Sequence, residues 1–229
     1  MVKTAAAAAT SSDWREARRQ SARALILESA WEAVRDEGLA ALSLRDLARR
    51  AGITTPTVYA YFDSKNDIYD AMFGQAAEAF AQTMGAPYTI DDPRDVLVDS
   101  VNRFATFCTS DLARYQLLFQ RTIPGFEPSP ESYAPAVRAL AGSHERLARN
   151  GITSDAHRDM FTAVNTGLVN QQTSNDPGGD RWIRLIEDVI DMYLAFCQGQ
   201  VKAGARPKTA ATKTTQTKTT PTKSKGTRR

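Results

Sequence analysis

Three features of the chain predict an all-α fold. Apolar residues recur every three or four positions through most of residues 13–200, which is the spacing of amphipathic helices. Helix-capping residues precede these stretches, and glycine or proline follows them, as expected at helix ends. The sequence has no stretch with the convincing period-two alternation of a strand. Its length of 229 residues suits one or two domains with a hydrophobic core.

The first helix is predicted to begin at Asp13 and to end at Glu37. Asp13 and Glu16 have the spacing of a capping box, and Gly38 supplies the stop. The inner face of this helix is predicted to consist of Ala22, Ile26, Ala30, Ala33 and Val34.

A second, short helix is predicted to begin at Ser43, with Asp46 completing another capping box. Its buried stripe would contain Leu44, Leu47, Ala48 and Ala51. Gly52 then permits a left-handed turn into the next helix.

A third helix follows this turn and is predicted to end near Phe62. Thr54 or Thr55 caps it, and Pro56 occupies its first turn, where a missing N–H costs nothing. Ser64 and Asp67 then form a further capping box, which opens a fourth helix through about Met84. Four or five more helices are predicted, near residues 94–109, 111–121, 133–149, 154–173 and 180–200.

The charge is distributed unevenly along the chain. Residues 1–66 hold 10 basic and 8 acidic residues, whereas residues 67–201 hold 10 basic and 18 acidic residues. Residues 202–229 hold 9 basic residues and no acidic residue. An acidic body does not wrap a polyanion, so we expect any nucleic-acid contact at the two ends of the chain. The composition of the tail, without any aromatic residue, predicts disorder.

The second and third helices, joined by a glycine turn and packed on a longer first helix, describe a helix-turn-helix over residues 43–62. Its third helix would enter the DNA major groove. Val58 and Phe62 are predicted to face the core with Ile53. The outer surface then carries short, hydroxylated and aromatic side chains, namely Thr55, Pro56, Thr57, Tyr59, Ala60 and Tyr61. Such a surface suits phosphates and thymine methyl groups better than guanine, because it lacks an arginine.

Two cations flank this surface. Arg45, on the exposed side of the second helix, can reach a guanine edge or a phosphate, and Lys65 lies at a helix N-terminus, where an anion binds readily. Patterning alone leaves a second interpretation open, in which the two helices are a solvent-facing hairpin whose charges have no function.

Residues 42–73 resemble the DNA-binding domain of the tetracycline-repressor (TetR) family, and the match extends over about residues 20–80. The motifs that carry the resemblance are Ala51-Gly52-Ile53, Thr57-Val58-Tyr59-Ala60-Tyr61-Phe62 and Ser64-Lys65-Asn66-Asp67. The segment 115–120 and the loop 123–130 are similar to the actinobacterial type of ligand domain in this family.

The resemblance implies that nine positions contact DNA. Two of these positions, Tyr61 and Lys65, are implied to contact phosphates. Ala60 departs from the family, in which that position often bears a larger side chain. The nine positions are Ser43, Arg45, Thr55, Pro56, Thr57, Tyr59, Ala60, Tyr61 and Lys65.

The resemblance also implies a ligand-responsive regulator, more a repressor than an activator, that binds an inverted-repeat operator in double-stranded DNA as a homodimer. Residues 154–200 would form the dimer as a four-helix bundle. By itself, the apolar stripe between Ile183 and Leu194 is more often intramolecular core. Helix four, with Ile68, Tyr69, Met72 and Phe73 against the DNA-binding domain, is expected to act as the lever between effector and operator.

A pocket for an unknown small-molecule effector is expected among helices five to eight. The candidate lining residues are Phe104, Phe107, Tyr115, Phe119, Phe126, Phe161 and Asn165. Each of them could instead be ordinary core. The polar run Asn165, Asn170, Gln171 and Gln172 is unusual for a packed helix, so part of it could orient a ligand.

The domain organisation predicted from these features has four parts. They are a disordered arm at 1–12, a DNA-binding domain at 13–80, a ligand-binding and dimerisation domain at 81–201, and a disordered tail at 202–229. We predict that the protein is not an enzyme, because the sequence has no acid–base or nucleophile constellation. We also predict that it has no cofactor and no metal site. We also predict no membrane contact and a cytoplasmic location. Two alternatives stay open. One is an architectural DNA-binding protein dominated by the basic tail. The other is a small-molecule enzyme that uses the helical domain as its site, against which the absence of an acid–base constellation argues.

Overall fold

The computed structural model describes residues 11–202, and within them it contains nine α-helices, two short 3-10 turns and no strand, which confirms the all-α prediction. The 3-10 turns are Leu39–Ala41 and Ile183–Leu185. The helices are α1 (Ser11–Glu37), α2 (Leu44–Arg50), α3 (Thr55–Tyr59), α4 (Lys65–Gly85), α5 (Pro93–Ser110), α6 (Leu112–Phe119), α7 (Pro130–Arg149), α8 (Asp155–Asn175) and α9 (Ile186–Lys202).

Two predicted caps are present. The Ser64 hydroxyl accepts from the Asp67 N–H at 3.2 Å, and the Asp67 carboxylate accepts from the Ser64 N–H at 2.9 Å. Thr54 caps α3 by accepting from the Thr57 N–H. Helix α3 ends at Tyr59, before the predicted end near Phe62, and one further hydrogen-bonded turn leads from Tyr59 to Phe62.

The capping box predicted at Ser43 is wrong. Ser43 stands at the N-terminus of α2 but makes no capping hydrogen bond with its side chain. The Asp46 carboxylate instead binds the guanidinium groups of Arg49 and Arg50 one turn further along. A bond from a guanidinium joins two opposite charges, whereas a backbone N–H is neutral, so the two arginines take the carboxylate.

Helices α1 to α4 enclose the first of two hydrophobic cores, and α6 closes it on one side. Leu47 and Val58 are fully buried in this core, and Phe62 is nearly so. Four of the five residues predicted for the inner face of α1 are buried in it, whereas Ala22 is half-buried. The buried four are Ile26, Ala30, Ala33 and Val34.

The second core lies among α5, α6, α8 and α9. The apolar stripe of α9 is buried in it, with Ile186 and Ile190 almost completely covered. This stripe is therefore mainly intramolecular core. Both cysteines are buried here as well, and burial raises the pKa of the Cys108 thiol, which keeps it protonated and unreactive.

Helix α4 contributes to both cores without a break. Ile68, Tyr69 and Met72, near its N-terminus, are buried in the first core, and Phe80 packs against the second. The boundary predicted between residues 80 and 81 thus falls inside a continuous helix. The lever residues predicted on α4 are all buried against the DNA-binding domain.

The predictions for the arm and the tail lie almost entirely outside the described residues. Within those residues, Ser11 and Ser12 belong to α1, and Lys202 belongs to α9. Over the described range, none of the helices combines the length and apolar composition needed to cross a bilayer.

Candidate nucleic-acid interface and cavity

The turn between α2 and α3 sets the angle at which α3 is presented. Gly52 has a φ of +65°, a left-handed conformation that other residues rarely adopt. The N–H of the next residue, Ile53, donates to the Ala48 carbonyl at 2.9 Å, which closes the end of α2. The chain then enters α3 directly through the Thr54 cap.

Helix α3 presents a short, mostly uncharged face. Tyr59 is 51% exposed, and Pro56 and Ala60 are exposed beside it. Thr55, Thr57 and Tyr61 are half-buried, and the Thr57 hydroxyl lies 2.8 Å from the Thr54 hydroxyl. Such a face allows van der Waals contact with base edges and hydrogen bonds to phosphates.

An arginine that the sequence analysis did not single out holds the end of α3. Arg23 of α1 donates from Nη1 to the Tyr61 carbonyl, and its guanidinium lies 4.1 Å from the centre of the Phe62 ring. Arg23 therefore fixes Tyr61 relative to α1. No local pattern marks this contact, because its partners are 38 positions apart.

Arg50 connects α2 to the end of α1. Its guanidinium binds Asp46, Asp36 and Glu37, each at 2.7 Å. The hydrogen bonds from these carboxylates, that from Asp46 foremost, raise the pKa of Arg50, and its bond to Asp46 lowers the pKa of that carboxyl. Arg50 is therefore a structural cation that orients the helix-turn-helix, whereas Arg45 is exposed and makes no ion pair within residues 11–202.

Two helix N-termini carry the remaining candidate DNA contacts. Ser43 and Arg45 open α2, both with exposed side chains, and Lys65 opens α4. Lys65 Nζ lies 3.5 Å from the Ala40 carbonyl oxygen and 5.4 Å from the Tyr69 ring centre. The start of α4 is thus adjacent to the turn that precedes Ser43, where exposed N–H groups and a cation favour an anion.

Substituting Lys65→Ala is expected to weaken binding to all DNA sequences alike. The family resemblance implies a phosphate contact for this lysine, and loss of one such contact lowers the slope of log K against log salt by about one unit per protomer. Measuring DNA affinity at several salt concentrations tests this. Arg149→Ala, which removes an exposed cation at the end of α7, should leave the salt dependence unchanged. A sequence-selective decrease in affinity for Lys65→Ala would contradict the phosphate assignment.

A cavity of about 290 Å³ lies among α4, α5, α7 and α8, with α6 contributing Leu118 and Phe119. Most of its wall is apolar, and it opens to the surface beside the exposed side chains of Tyr133 and Leu140. Four of the residues predicted to line a pocket line this cavity, namely Phe104, Phe119, Phe161 and Asn165.

The other three predicted lining residues do not line it. Phe107 and Tyr115 are buried in the second core, behind the cavity wall. The ring centre of Phe107 lies 5.2 Å from that of Phe80, and the ring centre of Tyr115 lies 5.9 Å from that of Phe119. Phe126 packs against the first core, 5.7 Å from Tyr69. These three aromatic residues pack behind the cavity wall and do not line the cavity itself.

Asn165 places a polar atom in the cavity wall. Its Nδ2 donates to the Phe161 carbonyl at 2.8 Å, whereas its buried Oδ1 has no hydrogen-bond partner among the described residues. Gln172, from the same predicted polar run, is buried for a different reason: its Oε1 accepts from the Trp182 and Ile183 N–H groups and so holds the connection into α9. Asn170 instead pairs with Gln120.

The N-terminal half of α4 is bonded to the start of α7. The Asp70 carboxylate accepts from the Ser129 N–H at 2.6 Å, from the Ser129 hydroxyl at 2.8 Å and from the Ser132 hydroxyl at 2.9 Å. Gly74 permits this approach, because a Cβ there would lie 3.1 Å from the Ser132 hydroxyl. Phe73 lines the cavity, stacks on Tyr133 at 6.0 Å and is buried in the first core.

The chain is similar to known regulators in sequence and in fold. The family model described as bacterial regulatory proteins, tetR family, matches residues 26–72. The transcriptional activator FasR of Mycolicibacterium smegmatis is 30% identical over 152 residues, which cover 66% of this chain and 68% of FasR. The regulator Rv1816 of Mycobacterium tuberculosis is 27% identical over 141 residues, and the match spans 60% of each chain.

One solved structure with the same fold contains a ligand. The transcriptional regulator FadR from Bacillus subtilis, in complex with stearoyl-CoA, has a TM-score of 0.56 and 17% identity, covering 75% of this chain and 97% of that chain. The helix-turn-helix geometry, the family match and the similarity to FasR agree, and the chain belongs to the TetR family of bacterial regulatory proteins.

Proposed function

We propose that the protein is a homodimeric repressor that binds an inverted-repeat operator and leaves it when a small molecule enters the cavity. One observation carries this proposal: α4 is part of both the core beneath the helix-turn-helix and the wall of the cavity. A change in the cavity can therefore alter how the two DNA-binding domains of a dimer are spaced. Family membership argues against the alternative of an enzyme.

The DNA-binding part of the proposal rests on α3 and the helix N-termini around it. The nine candidate contact residues, from Ser43 to Lys65, are exposed or half-buried in the structure. In a helix-turn-helix, such a helix enters the major groove, and a two-fold dimer places two of them on half-sites about one helical turn apart.

The dimer part rests on a second apolar stripe, on the outside of α8 and α9. Met192 is 62% exposed and Phe196 is 42% exposed, one turn apart on α9, and Met160 is exposed on α8. The stripe buried in the second core lies on the opposite side of α9. We propose that these outward residues, rather than the predicted stripe of Ile186 and Ile190, form the four-helix interface of the homodimer.

The effector part rests on the chemistry of the cavity. The aromatic and aliphatic wall favours an apolar body, and the Asn165 Oδ1 favours a hydrogen-bond donor on it. The FadR structure shows that this fold accommodates a ligand with a long acyl chain. An effector that prefers the conformation with misplaced DNA-binding domains lowers operator affinity, and DNA lowers effector affinity by the same factor.

Selection of bound sequences from a random duplex pool tests the DNA-binding part. The full chain and a 1–202 truncation should enrich the same inverted repeat at near-physiological salt. If only the full chain binds, and without any motif, the architectural alternative takes over. A reporter gene behind the selected operator then distinguishes a repressor from an activator such as FasR.

Substituting Asn165→Leu is expected to raise the effector concentration needed for operator release by about 2- to 10-fold, the range expected for one neutral hydrogen bond. The measurement uses a compound found by screening for operator release. Asn170→Leu, on the same helix but outside the cavity wall, is the matched control and should leave release unchanged. Equal effects of the two substitutions would place the effector elsewhere.

A further inference from the structure

A groove of about 220 Å³ lies behind the cavity, between the end of α4 and the second half of α7. Met84 and Ala139 line both spaces, so a single layer of side chains separates them. Met84 is an unbranched, flexible side chain that can move aside for a ligand. Arg146 of α7 lines the groove on the far side of this layer.

Arg146 is a buried charge without a counterion among the described residues. It is 8% exposed, and its Nε and Nη2 atoms have no hydrogen-bond partner there. No carboxylate within residues 11–202 lies at ion-pairing distance from it. An arginine cannot lose its proton in a protein, and an unpaired buried charge is strongly unfavourable.

A second guanidinium group, that of Arg103, lies close to Arg146. The Tyr88 ring lies between two guanidinium groups, 4.1 Å from that of Arg103 and 5.6 Å from that of Arg146. Asp99 neutralises Arg103 at 2.8 Å, but it makes no ion pair with Arg146. Burial is the main cause that lowers the pKa of Arg146; Tyr88 and Glu145 raise it, whereas the charges of Arg103 and Arg149 lower it. The buried Tyr88 hydroxyl also has no partner among the described residues.

The acidic residue that lines the groove is already paired. Glu78 binds Arg138 at 2.6 Å, and both side chains are largely exposed. Gly142 leaves space for the Arg146 guanidinium, because a Cβ at that position would lie 3.3 Å from Nη1. Arg146 is thus held beside the groove with its donors unsatisfied.

We propose that Arg146 binds the oxyanion of an acidic effector, a carboxylate or a phosphate, whose apolar body occupies the cavity. This inference deepens the proposed function and rests on its effector part. The planar guanidinium suits bidentate binding of such a group, and the Tyr88 hydroxyl supplies one more hydrogen bond. Met84 has to change rotamer for the acid group and the apolar body to be bound together.

Three probes with the same octyl chain test the inference on the full chain by isothermal titration, namely nonanoate, octyl phosphate and 1-octanol. We expect one of the two acids to bind about 10- to 100-fold more tightly than the alcohol, the range expected for hydrogen bonds between charged groups. The tighter acid identifies the effector as a carboxylate or as a phosphate. Arg146→Met should remove the preference, and Arg146→Lys and Tyr88→Phe should reduce it. Arg149→Met, at an exposed arginine of the same helix outside the groove lining, should retain it.

Each other outcome overturns the inference. Equal binding of acid and alcohol, with operator release by both, would exclude the acid site and leave the proposed function intact. Absence of binding by all three probes would overturn the acid site, while a screen for operator release would test the proposed function separately. Arg146→Met should not lower the melting temperature, because it removes an unpaired charge. A large decrease would show that another group of the chain already neutralises Arg146.

Discussion

Tyr59→Ala is expected to abolish sequence-specific DNA binding while leaving the dimer intact. Tyr59 is the most exposed large side chain of α3. In the proposed dimer, its removal takes away one base contact from each of the two half-sites. A good base contact contributes about 1–3 kcal/mol, so two half-sites lose roughly 2–6 kcal/mol, much of the difference between specific and non-specific binding. The residue is outside the hydrophobic core, so stability should hardly change.

Operator affinity and non-specific affinity, measured side by side by fluorescence anisotropy, test this expectation. Tyr59→Phe keeps the ring and separates its contribution from that of the hydroxyl. Val137→Ala, at a residue of similar exposure on α7, is the control outside the DNA-binding domain. If Tyr59→Ala binds the selected operator normally, α3 is not the helix that reads the DNA.

Asp70→Ala is expected to uncouple effector binding from operator release. The three hydrogen bonds that Asp70 accepts join α4, beneath the DNA-binding domain, to α7, which lines the cavity. Coupling factors of about 5- to 150-fold are typical between two such sites. Without these bonds α7 can shift independently of α4, so we expect the coupling factor to fall toward one. The affinity for the operator alone and the affinity for the effector alone should each stay within a few-fold of wild type.

The control is the other bond between the same two helices. Glu78 and Arg138 also join α4 to α7, but both are largely exposed, and surface ion pairs contribute little. Glu78→Ala should therefore leave the coupling unchanged. Operator affinity is measured for each variant with and without a saturating effector. Retained coupling in Asp70→Ala would exclude this connection as the route from cavity to operator.

The sequence predicts most of the fold because local signals mark the helix ends. Ser64, Asp67, Thr54 and Gly52 act within a few residues of their own positions, and the structure shows the expected caps and turn. Local signals fail where a side chain has a competing partner nearby or a partner far away in the sequence. Asp46 prefers the arginines of its own helix end, and Arg23 finds Tyr61 across 38 positions, which no periodicity indicates.

The cavity is less predictable than the DNA-binding face. Phe104 and Phe107 are both aromatic residues of α5, yet only Phe104 lines the cavity, because the direction of a side chain depends on which helices pack on each side. The helical pattern alone does not distinguish a cavity wall from the core that supports it. Arg146 shows the same limit, since a charged residue in a helix ordinarily indicates a solvated face.

The continuity of α4 has a consequence for how such a regulator can acquire new inputs. Most of the cavity wall comes from α5, α7 and α8, whereas the proposed DNA-reading surface comes from α2, α3 and the start of α4. Residues such as Leu140 and Thr166 can therefore change the compound that is recognised without altering the operator. A biosensor for a new compound could be built on this scaffold by redesigning those three helices and preserving α4.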